Sequence, residues 1–598
     1  MQRFFILFFV FIYINANDTI DLNLVKIDLS ERIDTKFEQI NTIKKSLKHK
    51  NKLFISEYLL KKYYKNHDYN PFFVDLFSIK PIAYTLIDSI KNDQVLKPQL
   101  NSYFDITNIS SLIDETELNP TSENLIKLDN KLISVYHKYM LLLSRGAIDW
   151  EKFQAELEKI KDEEEIIYYW EKYFPRKNIR KLLYEAVKND DINVAFSKVD
   201  YTFPKAKILS NKILQLEKLL KDGGYTKIPN LKRTLKKGNY YPEIALLKKR
   251  LQEDDYININ FDCKNEENLE VVKIDKNTSS INLTSDLNDD CEKLFDETLY
   301  LNIKKFQKHN GLESDGIIGK KTINALNKPI QEQINTMRMN LERMRWMPRD
   351  LGEKYIIVNI ADFSMKMYSD NNKILEMEVI VGDKKHPTPV FSHRLSEIIL
   401  NPYWRIPQSI VQKEIIPNLV QNPNYLQEED INIHENWDHD STIYENSGID
   451  WSIFLNNEIM ADDEYAPMRF IQIPGDKNPL GRIKFLFPNR YSVYLHDTPY
   501  KNLFNETNRA FSHGCIRLSK PKELLKAIAE EETKIDLNKS EEILKEKDRV
   551  DIELDKKIPV HIVYLTSWID DNGIIQFRND IYNLDKIQER ILYNQEIY

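Results

Sequence analysis

Near its C-terminus the chain reads Ser512-His513-Gly514-Cys515-Ile516-Arg517-Leu518, shortly after Tyr494-Leu495-His496-Asp497-Thr498-Pro499. A thiol needs a nearby imidazole to lose its proton, and a glycine before it allows a tight turn that aims backbone N–H groups at an oxyanion. The pattern predicts that Cys515 is a nucleophile, that His496 is its base, and that the N–H groups of Gly514 and Cys515 form part of an oxyanion hole. The alternative is an inert, buried Cys515 beside structural histidines.

The two segments resemble the signature of the L,D-transpeptidases, cysteine enzymes that cross-link bacterial peptidoglycan. Other segments are similar to the large, multidomain Gram-negative branch of that family. They are Asn340–Arg343, Arg345-Trp346, Asn401–Pro407, Pro474-Gly475, Leu480-Gly481, Lys484-Phe485, Phe487–Asn489 and Phe577–Tyr582. The resemblance implies a multidomain α+β protein. Its parts would be a helical N-terminal scaffold, a small three-helix peptidoglycan-binding-like module, and a mixed β-sandwich catalytic domain with an inserted capping subdomain.

Hydrophobic periodicity places these parts along the chain. Apolar residues recur at three-to-four-residue spacing through residues 24–221, which predicts the helical scaffold. Residues 223–328 match the peptidoglycan-binding-like module, apart from a polar insertion at 262–293. The period changes to two in the catalytic domain, residues 340–585, and the predicted strands are 355–360, 365–368, 377–381, 483–487, 492–496 and 560–565. Residues 403–467 show little strand pattern and would be the capping insertion.

The resemblance also implies roles for residues around the nucleophile. His513 and Arg517 would lie near the substrate, with Arg517 either binding a carboxylate or bracing the site through a salt bridge. Ser512 would hold the turn. Tyr403 and Trp404 would line the donor cleft, although aromatic residues at a strand end are commonly part of a core.

The reaction implied by the family is acyl transfer between two peptidoglycan stem peptides. Cys515 would attack the carbonyl of the third residue of a donor tetrapeptide, a diaminopimelate-type residue, and expel the terminal D-Ala. The side-chain amine of an acceptor stem would then resolve the thioester and give a 3→3 cross-link. The family also implies that a carbapenem acylates Cys515 more readily than a penicillin does.

Two other functions remain open. An L,D-carboxypeptidase would use the same residues with water in place of the acceptor amine, and a non-catalytic protein would only bind the cell wall. No cofactor is expected, because the histidines lack the spacing of zinc sites. A net charge of −8 gives no reason to expect nucleic acid as a partner. Other cell-wall synthases are candidate partners.

The N-terminus predicts export to the periplasm. Arg3 precedes an apolar run that ends at Ile14, and Ala16 is a candidate cleavage position, as in a secretory signal peptide of residues 1–16. An uncleaved inner-membrane anchor is the alternative. In that compartment Cys263 and Cys291 can form a disulfide that leaves Cys515 free, or both can remain unpaired.

Overall fold

The computed structural model describes residues 22–46, 53–175, 177–201, 203, 205–254, 256, 293–455 and 468–593. The predicted signal peptide, Cys263, Cys291 and nearly all of the insertion at 262–293 lie outside these residues. The described chain forms two compact units, one of residues 1–144 with 176–200 and one of residues 145–175 with 201–598. Helical and sheet regions follow one another as predicted, so the multidomain α+β class is confirmed.

The first unit is helical. Its helices are Leu22–Ser46, Glu57–Lys65, Pro81–Lys91, Leu100–Phe104, Ile106–Leu118, Ser122–Arg145, Ile179–Lys188 and Asn193–Phe196. A buried carboxylate organises the core, because Asp129 accepts hydrogen bonds from the hydroxyl of Tyr64 (2.5 Å) and from the backbone N–H groups of Phe72 and Phe73 (2.9 and 2.6 Å). Burial raises the pKa of Asp129, and these donors offset part of that cost. Among the described helices, none is long and apolar enough to cross a bilayer.

The second unit contains the peptidoglycan-binding-like module. Helices Ile244–Gln252, Glu297–His309 and Lys320–Leu326 pack around an apolar core that includes Leu247, Phe306 and Ile323. The Asp-Gly turn is held by Gln307, whose side chain donates to Asp315 (2.8 Å) and accepts from the N–H of Gly316 (2.8 Å). The three predicted helices are therefore present, and the turn residues of the motif hold the module together.

The second unit also contains helices Trp150–Glu164, Ala206–Lys221 and Ile330–Met344, and the last of these is buried on nearly every side. Arg343 forms an ion pair with Asp585 (2.7 Å), and Glu342 accepts from the N–H of Ile148 (2.9 Å) and the indole of Trp346 (3.0 Å). The segment Asn340–Arg343 is thus a structural element, because Glu342 and Arg343 bind other residues of the same unit.

Fifteen strands follow in chain order within the described residues. They are β1 Lys354–Asn359, β2 Ser364–Ser369, β3 Asn372–Gly382, β4 Phe391–Leu400, β5 Trp404–Arg405, β6 Ile431–His434, β7 Ile443–Tyr444, β8 Arg469–Gln472, β9 Ile483–Leu486, β10 Leu495–His496, β11 Ala510–Ser512, β12 Ile516–Leu518, β13 Val550–Val563, β14 Ser567–Ile569 and β15 Ile575–Phe577. The catalytic sheet has the order β11-β3-β12-β10-β9-β4-β13-β1-β2, and an added β2–β3 pairing closes it on itself. Helices Pro521–Ala529, Leu537–Ile543 and Leu584–Tyr593 complete the domain.

Two predicted details differ in the catalytic domain. The strand expected over 492–496 is limited to Leu495–His496, because Ser492 has a φ of 55° and cannot continue an extended strand. Cys515 was expected in a turn before a short helix, but strand β12 follows it and the helix begins only at Pro521. The position of His496 at a strand end is confirmed.

The capping insertion has a hydrophobic core of its own. Its four-stranded sheet has the order β5-β8-β6-β7, and helical turns Gln408–Ile410, Val411–Ile415 and Ile416–Gln421 pack against it. The middle turn is a π-helix just before Pro417, a residue that lacks the N–H needed for regular helical bonding. Strands of two to four residues leave almost no period-two signal, which is why the sequence did not indicate this sheet.

Candidate active site

Strand pairing brings the predicted nucleophile and base to one face of the catalytic sheet. In the parallel pair β10–β12, Leu495 is opposite Ile516 and His496 is opposite Arg517. Leu495 and Ile516 are fully buried on the other face. Because side chains alternate along a strand, Tyr494, His496, Cys515 and Arg517 share the remaining face. His496 is therefore opposite Arg517, and Cys515 lies on the same face two residues before Arg517.

Cys515 is a free, half-buried thiol. Its Sγ lies 3.8 Å from the carbonyl oxygen of Ser492. Burial raises the pKa of Cys515 above its ordinary value of 9.0, although Tyr494 and the charges of Lys484 and Arg517 act in the opposite direction. The resting nucleophile is therefore the protonated thiol.

His496 is almost completely buried, with 4% of its surface exposed. Its Nδ1 lies 2.5 Å from the carbonyl oxygen of Asp497. A carbonyl can only accept, so Nδ1 carries the proton and Nε2 is left as a basic nitrogen. Burial, together with the positive charges of Arg517 and Lys484, lowers the pKa of His496 to about 3. The imidazole is therefore neutral at physiological pH and able to accept a proton.

The loop before Cys515 is fixed by a small hydrogen-bond network. The Ser512 hydroxyl donates to the carbonyl of Cys515 (2.5 Å) and accepts from the N–H of Gly514 (3.2 Å). Gly514 has a φ of 109°, which a residue with a side chain rarely adopts, and its carbonyl accepts from the Thr388 hydroxyl (2.8 Å). These contacts place Ser512 as the residue that holds the turn.

The two N–H groups of the predicted oxyanion hole differ in their hydrogen bonds. The N–H of Gly514 donates to the Ser512 hydroxyl within the turn at 3.2 Å, so its part in an oxyanion hole stays a prediction. The N–H of Cys515 has no hydrogen-bond partner among the described residues, and it is the donor that remains for this role. The sequence showed two adjacent N–H groups but not that Ser512 takes one of them.

The other predicted site residues lie at different distances from this centre. Arg517 is half-buried opposite His496 on β12, with its guanidinium 5.9 Å from the centre of the Tyr500 ring. His513 is half exposed, its ring is tilted by 36° to that of His386 with ring centres 4.5 Å apart, and its Nε2 lies 3.9 Å from the carboxylate of Glu414 in the capping insertion. Burial and the neighbouring His386 lower the pKa of His513.

The two aromatic residues predicted to line the donor cleft belong to the capping insertion. Trp404 is partly buried against the hydrophobic core of the insertion, and the ring of Tyr403 is tilted by 32° to that of His439 with ring centres 4.6 Å apart. Neither has a contact with Cys515 or His496 among the described residues. Their placement agrees with the alternative that they are packing residues, and the cleft assignment stays a prediction.

Three residues near the thiol were not singled out from the sequence as site residues. Tyr494 lies beside Cys515 and its ring is 5.6 Å from that of His496. Lys484 is opposite His496 on β9, and its Nζ lies 3.8 Å from the centre of the Tyr494 ring. Asp497 fixes the His496 tautomer. For Tyr494, its position two residues before His496 was an available signal, because such residues share a face.

Asp497 is itself held by a glycine with a left-handed backbone. Gly481 has a φ of 60°, and a Cβ there would overlap the Asp497 carboxylate, which accepts from the N–H of Arg482 at 2.9 Å. We expect Gly481→Ala to lower the free energy of unfolding by about 1–3 kcal/mol. Activity should fall at least about tenfold, because Asp497 would move and its carbonyl would no longer hold Nδ1 of His496 in place. Chemical unfolding and turnover assays measure both. Gly475→Ala is the matched control, since no atom lies within 4 Å of a Cβ there.

The two pKa shifts predict how Cys515 reacts at different pH values. With the thiol pKa raised and the imidazole pKa lowered, no thiolate–imidazolium pair forms near neutrality. The rate of alkylation by iodoacetamide should therefore rise continuously with pH and keep rising at pH 9.0. Intact-mass measurements of the alkylation rate test this when they are made between about pH 5 and 10, in steps of about one pH unit. A plateau at full rate between about pH 5 and 7 would show a preformed ion pair instead.

Only one His/Asp/Glu cluster in the described part of the chain has the spacing to hold a metal ion. It consists of Asp438, His439 and Asp440, is mostly exposed, and lies in the capping insertion. Exposed acidic groups of this kind are common without an ion, and none of the three contacts Cys515 or His496 among the described residues. The cluster gives no reason to include a metal in the chemistry of the thiol.

Comparisons with known proteins agree with this geometry. Residues 353–552 match the family described as "L,D-transpeptidase catalytic domain", and residues 284–326 match "Putative peptidoglycan binding domain". A curated protein of Haemophilus influenzae, described as "Putative L,D-transpeptidase", is 33% identical over 250 residues. That alignment covers 42% of this chain and 48% of the relative, so the chain spans about half the length of the relative it matches.

Solved structures of L,D-transpeptidases also resemble the chain, at low identity. One from Mycobacterium smegmatis is 12% identical, covers 35% of this chain and 58% of its own, and has a TM-score of 0.17. One from Stackebrandtia nassauensis is 12% identical, covers 57% and 97%, and has a TM-score of 0.19. Residues 353–552, which match the L,D-transpeptidase catalytic domain, contain both His496 and Cys515, and the match to a putative peptidoglycan binding domain precedes them along the chain.

Proposed function

We propose that this protein is a periplasmic L,D-transpeptidase that joins stem peptides of peptidoglycan by 3→3 cross-links through a thioester on Cys515. The observation that carries the proposal is the free thiol of Cys515 on the same sheet face as a neutral, buried His496. A domain of the peptidoglycan-binding type in the same chain supports the same substrate. The periplasmic location follows from where that substrate lies.

In the first half of the reaction, His496 Nε2 takes the proton of Cys515 Sγ as the sulfur attacks the carbonyl carbon of the third residue of the donor stem. The C–S bond forms and the carbonyl electrons move to oxygen, which faces the N–H of Cys515. The tetrahedral intermediate then collapses, the C–N bond breaks, and His496 returns the proton to the amine of the departing D-Ala. The product is a thioester and a neutral imidazole.

In the second half, the side-chain amine of an acceptor stem attacks the thioester carbon. His496 takes a proton from the attacking nitrogen, the C–S bond breaks, and the sulfur leaves and regains a proton. A neutral imidazole suits both halves, because each begins with proton removal. The low pKa of His496 makes the transfer of the Cys515 proton to it uphill and its return to the leaving group downhill, because burial and two nearby cations destabilise the imidazolium.

The experiment that tests the function is product analysis with purified protein and tetrapeptide-containing muropeptides. Mass spectrometry should find 3→3 dimers, released D-Ala, and a transient adduct whose mass places the acyl group on Cys515. If tripeptide monomers formed without dimers, even at high acceptor concentration, the protein would be a carboxypeptidase. Binding to intact sacculi without any change in the stems would identify a wall-binding protein instead.

The capping insertion is proposed to be a lid that shields the thioester from water. Its Glu414 approaches His513, only two residues from the nucleophile. The ends of the insertion are close together, because Ile406 N–H donates to the carbonyl of Phe470 at 2.9 Å. Residues 407–469 can therefore be replaced by an Asn-Gly hairpin turn.

We expect this deletion to leave the alkylation rate of Cys515 by iodoacetamide within about twofold of wild type, because the catalytic sheet is untouched. Dimer formation should fall at least about tenfold, and a larger share of the acyl-enzyme should be lost to water. The ratio of dimers to trimmed monomers measures this partition. A folded deletion variant with the wild-type ratio would exclude the lid.

A further inference from the structure

Strand register places two cations on either side of the proposed base. On the active face, Arg517 of β12 is opposite His496, and Lys484 of β9 is opposite His496 from the other side. The same row continues through Ile399 of β4 to Asp551 of β13. The thiol of Cys515 therefore lies beside a line of cross-strand neighbours in which His496 stands between Arg517 and Lys484.

The ammonium of Lys484 has no carboxylate partner among the described residues. It lies 3.8 Å from the centre of the Tyr494 ring, and burial lowers its pKa, while the neighbouring Cys515 acts in the opposite direction. Of the nearby acids, Asp551 is occupied by both arms of Arg549, each at 2.7 Å, and Glu397 does not come within ion-pair distance of Lys484. A desolvated ammonium without an anion is costly, and binding one would relieve that cost.

A second cation, Arg405, comes five residues after Leu400, which is opposite Ile483 in the β4–β9 pair next to Lys484, and its charge contributes to lowering the pKa of Lys484. Arg405 follows Trp404 on β5, is exposed, and has no hydrogen bond or ion pair within the described part of the chain. Across the thiol, the Nε of Arg517 is buried and also lacks a hydrogen-bond partner among the described residues. The surroundings of Cys515 thus carry several positive groups whose charge the protein itself does not neutralise.

We propose that Lys484 and Arg405 form a binding site for a carboxylate of the donor stem, within one residue of the carbonyl that Cys515 attacks. This inference rests on the proposed function, which supplies a donor with a carboxylate on its terminal D-Ala and another on the side chain of its third residue. Lys484 supplies a partly desolvated charge close to the thiol. Arg405 adds a planar, two-pronged donor at the rim of the capping insertion.

Two small alkylating reagents test the site without requiring turnover. Iodoacetate and iodoacetamide react with a thiol in the same way, but only iodoacetate carries a carboxylate next to the reacting carbon. We expect the ratio of their rate constants at Cys515, at low salt, to exceed the ratio for N-acetylcysteine at least about fivefold. Intact mass and peptide mapping confirm that Cys515 is the residue modified.

Substitutions then assign the effect to the two cations. Lys484→Gln should lower the iodoacetate-to-iodoacetamide ratio at least about fivefold and Arg405→Gln about two- to threefold, whereas Lys484→Arg should retain it. Lys366→Gln is the matched control, because Lys366 is a half-buried lysine on β2 of the same sheet, paired with Glu376. The ratio should be unchanged in this control.

Two results would overturn the site. One is an unchanged ratio in a folded Lys484→Gln protein. The other is an equal loss of both rates, which would mean that Lys484 only stabilises the thiolate.

With stem donors, the KM of Lys484→Gln should rise about tenfold for the free acid. That penalty should disappear when either the terminal or the side-chain carboxyl is amidated, which identifies the carboxylate bound. A protein that is alkylated as expected but never forms dimers would contradict the proposed function and leave the carboxylate site intact.

Discussion

A Cys515→Ala protein is expected to fold like wild type and to form no cross-links, with activity reduced at least about 10⁴-fold. Among the described side chains of the active face we assign the covalent intermediate to the thiol, because His496 is held as a neutral base and the hydroxyl of Ser512 donates within its turn. The free energy of unfolding should change by less than about 1 kcal/mol, since the half-buried side chain loses only weak sulfur contacts with Ser492 and Tyr494.

Two measurements separate loss of chemistry from loss of structure. Thermal unfolding of Cys515→Ala should coincide with that of wild type, and iodoacetamide should no longer modify the peptide that contains position 515. Dimer formation above a few per cent of the wild-type rate by this folded variant would contradict the assignment of the nucleophile. Cys515→Ser is a second variant that keeps the shape of the side chain and should be nearly as inactive, because a hydroxyl is a far weaker nucleophile.

The local parts of the site could be predicted from the sequence because each depends on neighbouring residues. A glycine before Cys515 indicates a backbone that other residues avoid, and Gly514 has such a φ. The alternation of apolar and polar residues around His496 predicts a strand with one buried face, which β10 provides. The resemblance added the fold, which the strand order of the catalytic sheet confirms.

The electrostatic character of the site could not be predicted, because it depends on pairing between distant segments. The low pKa of His496 requires burial and the cations of β9 and β12, and no periodicity within one segment specifies which strands become neighbours. The Gly514 N–H shows the same limit at short range. Its donor is visible in the sequence, but the side chain that accepts from it is set by the folded turn.

The second large effect is expected at His496. His496→Ala should lower the rate of cross-linking by about 10²–10⁴-fold, because no other group on the active face can accept the proton of Cys515. His513→Ala should cost less than about tenfold, since that ring is half exposed and faces Glu414. Assays at saturating donor, together with kcat/KM, separate proton transfer from binding. A larger loss in His513→Ala than in His496→Ala would move the role of base to His513.

The pH dependence of kcat/KM tests whether His496 acts in its neutral form. A histidine with an ordinary pKa of 6.5 would become protonated, and inactive as a base, as the pH falls below that value. The pKa of His496 is lowered to about 3, so its basic form persists and the acid limb of the profile should lie well below 6.5. At about pH 10, where the thiol ionises without help, iodoacetamide should alkylate His496→Ala and wild type at similar rates. An acid limb near 6.5 that disappears in His496→Ala would show instead that the pKa of His496 keeps its ordinary value and is not lowered by burial.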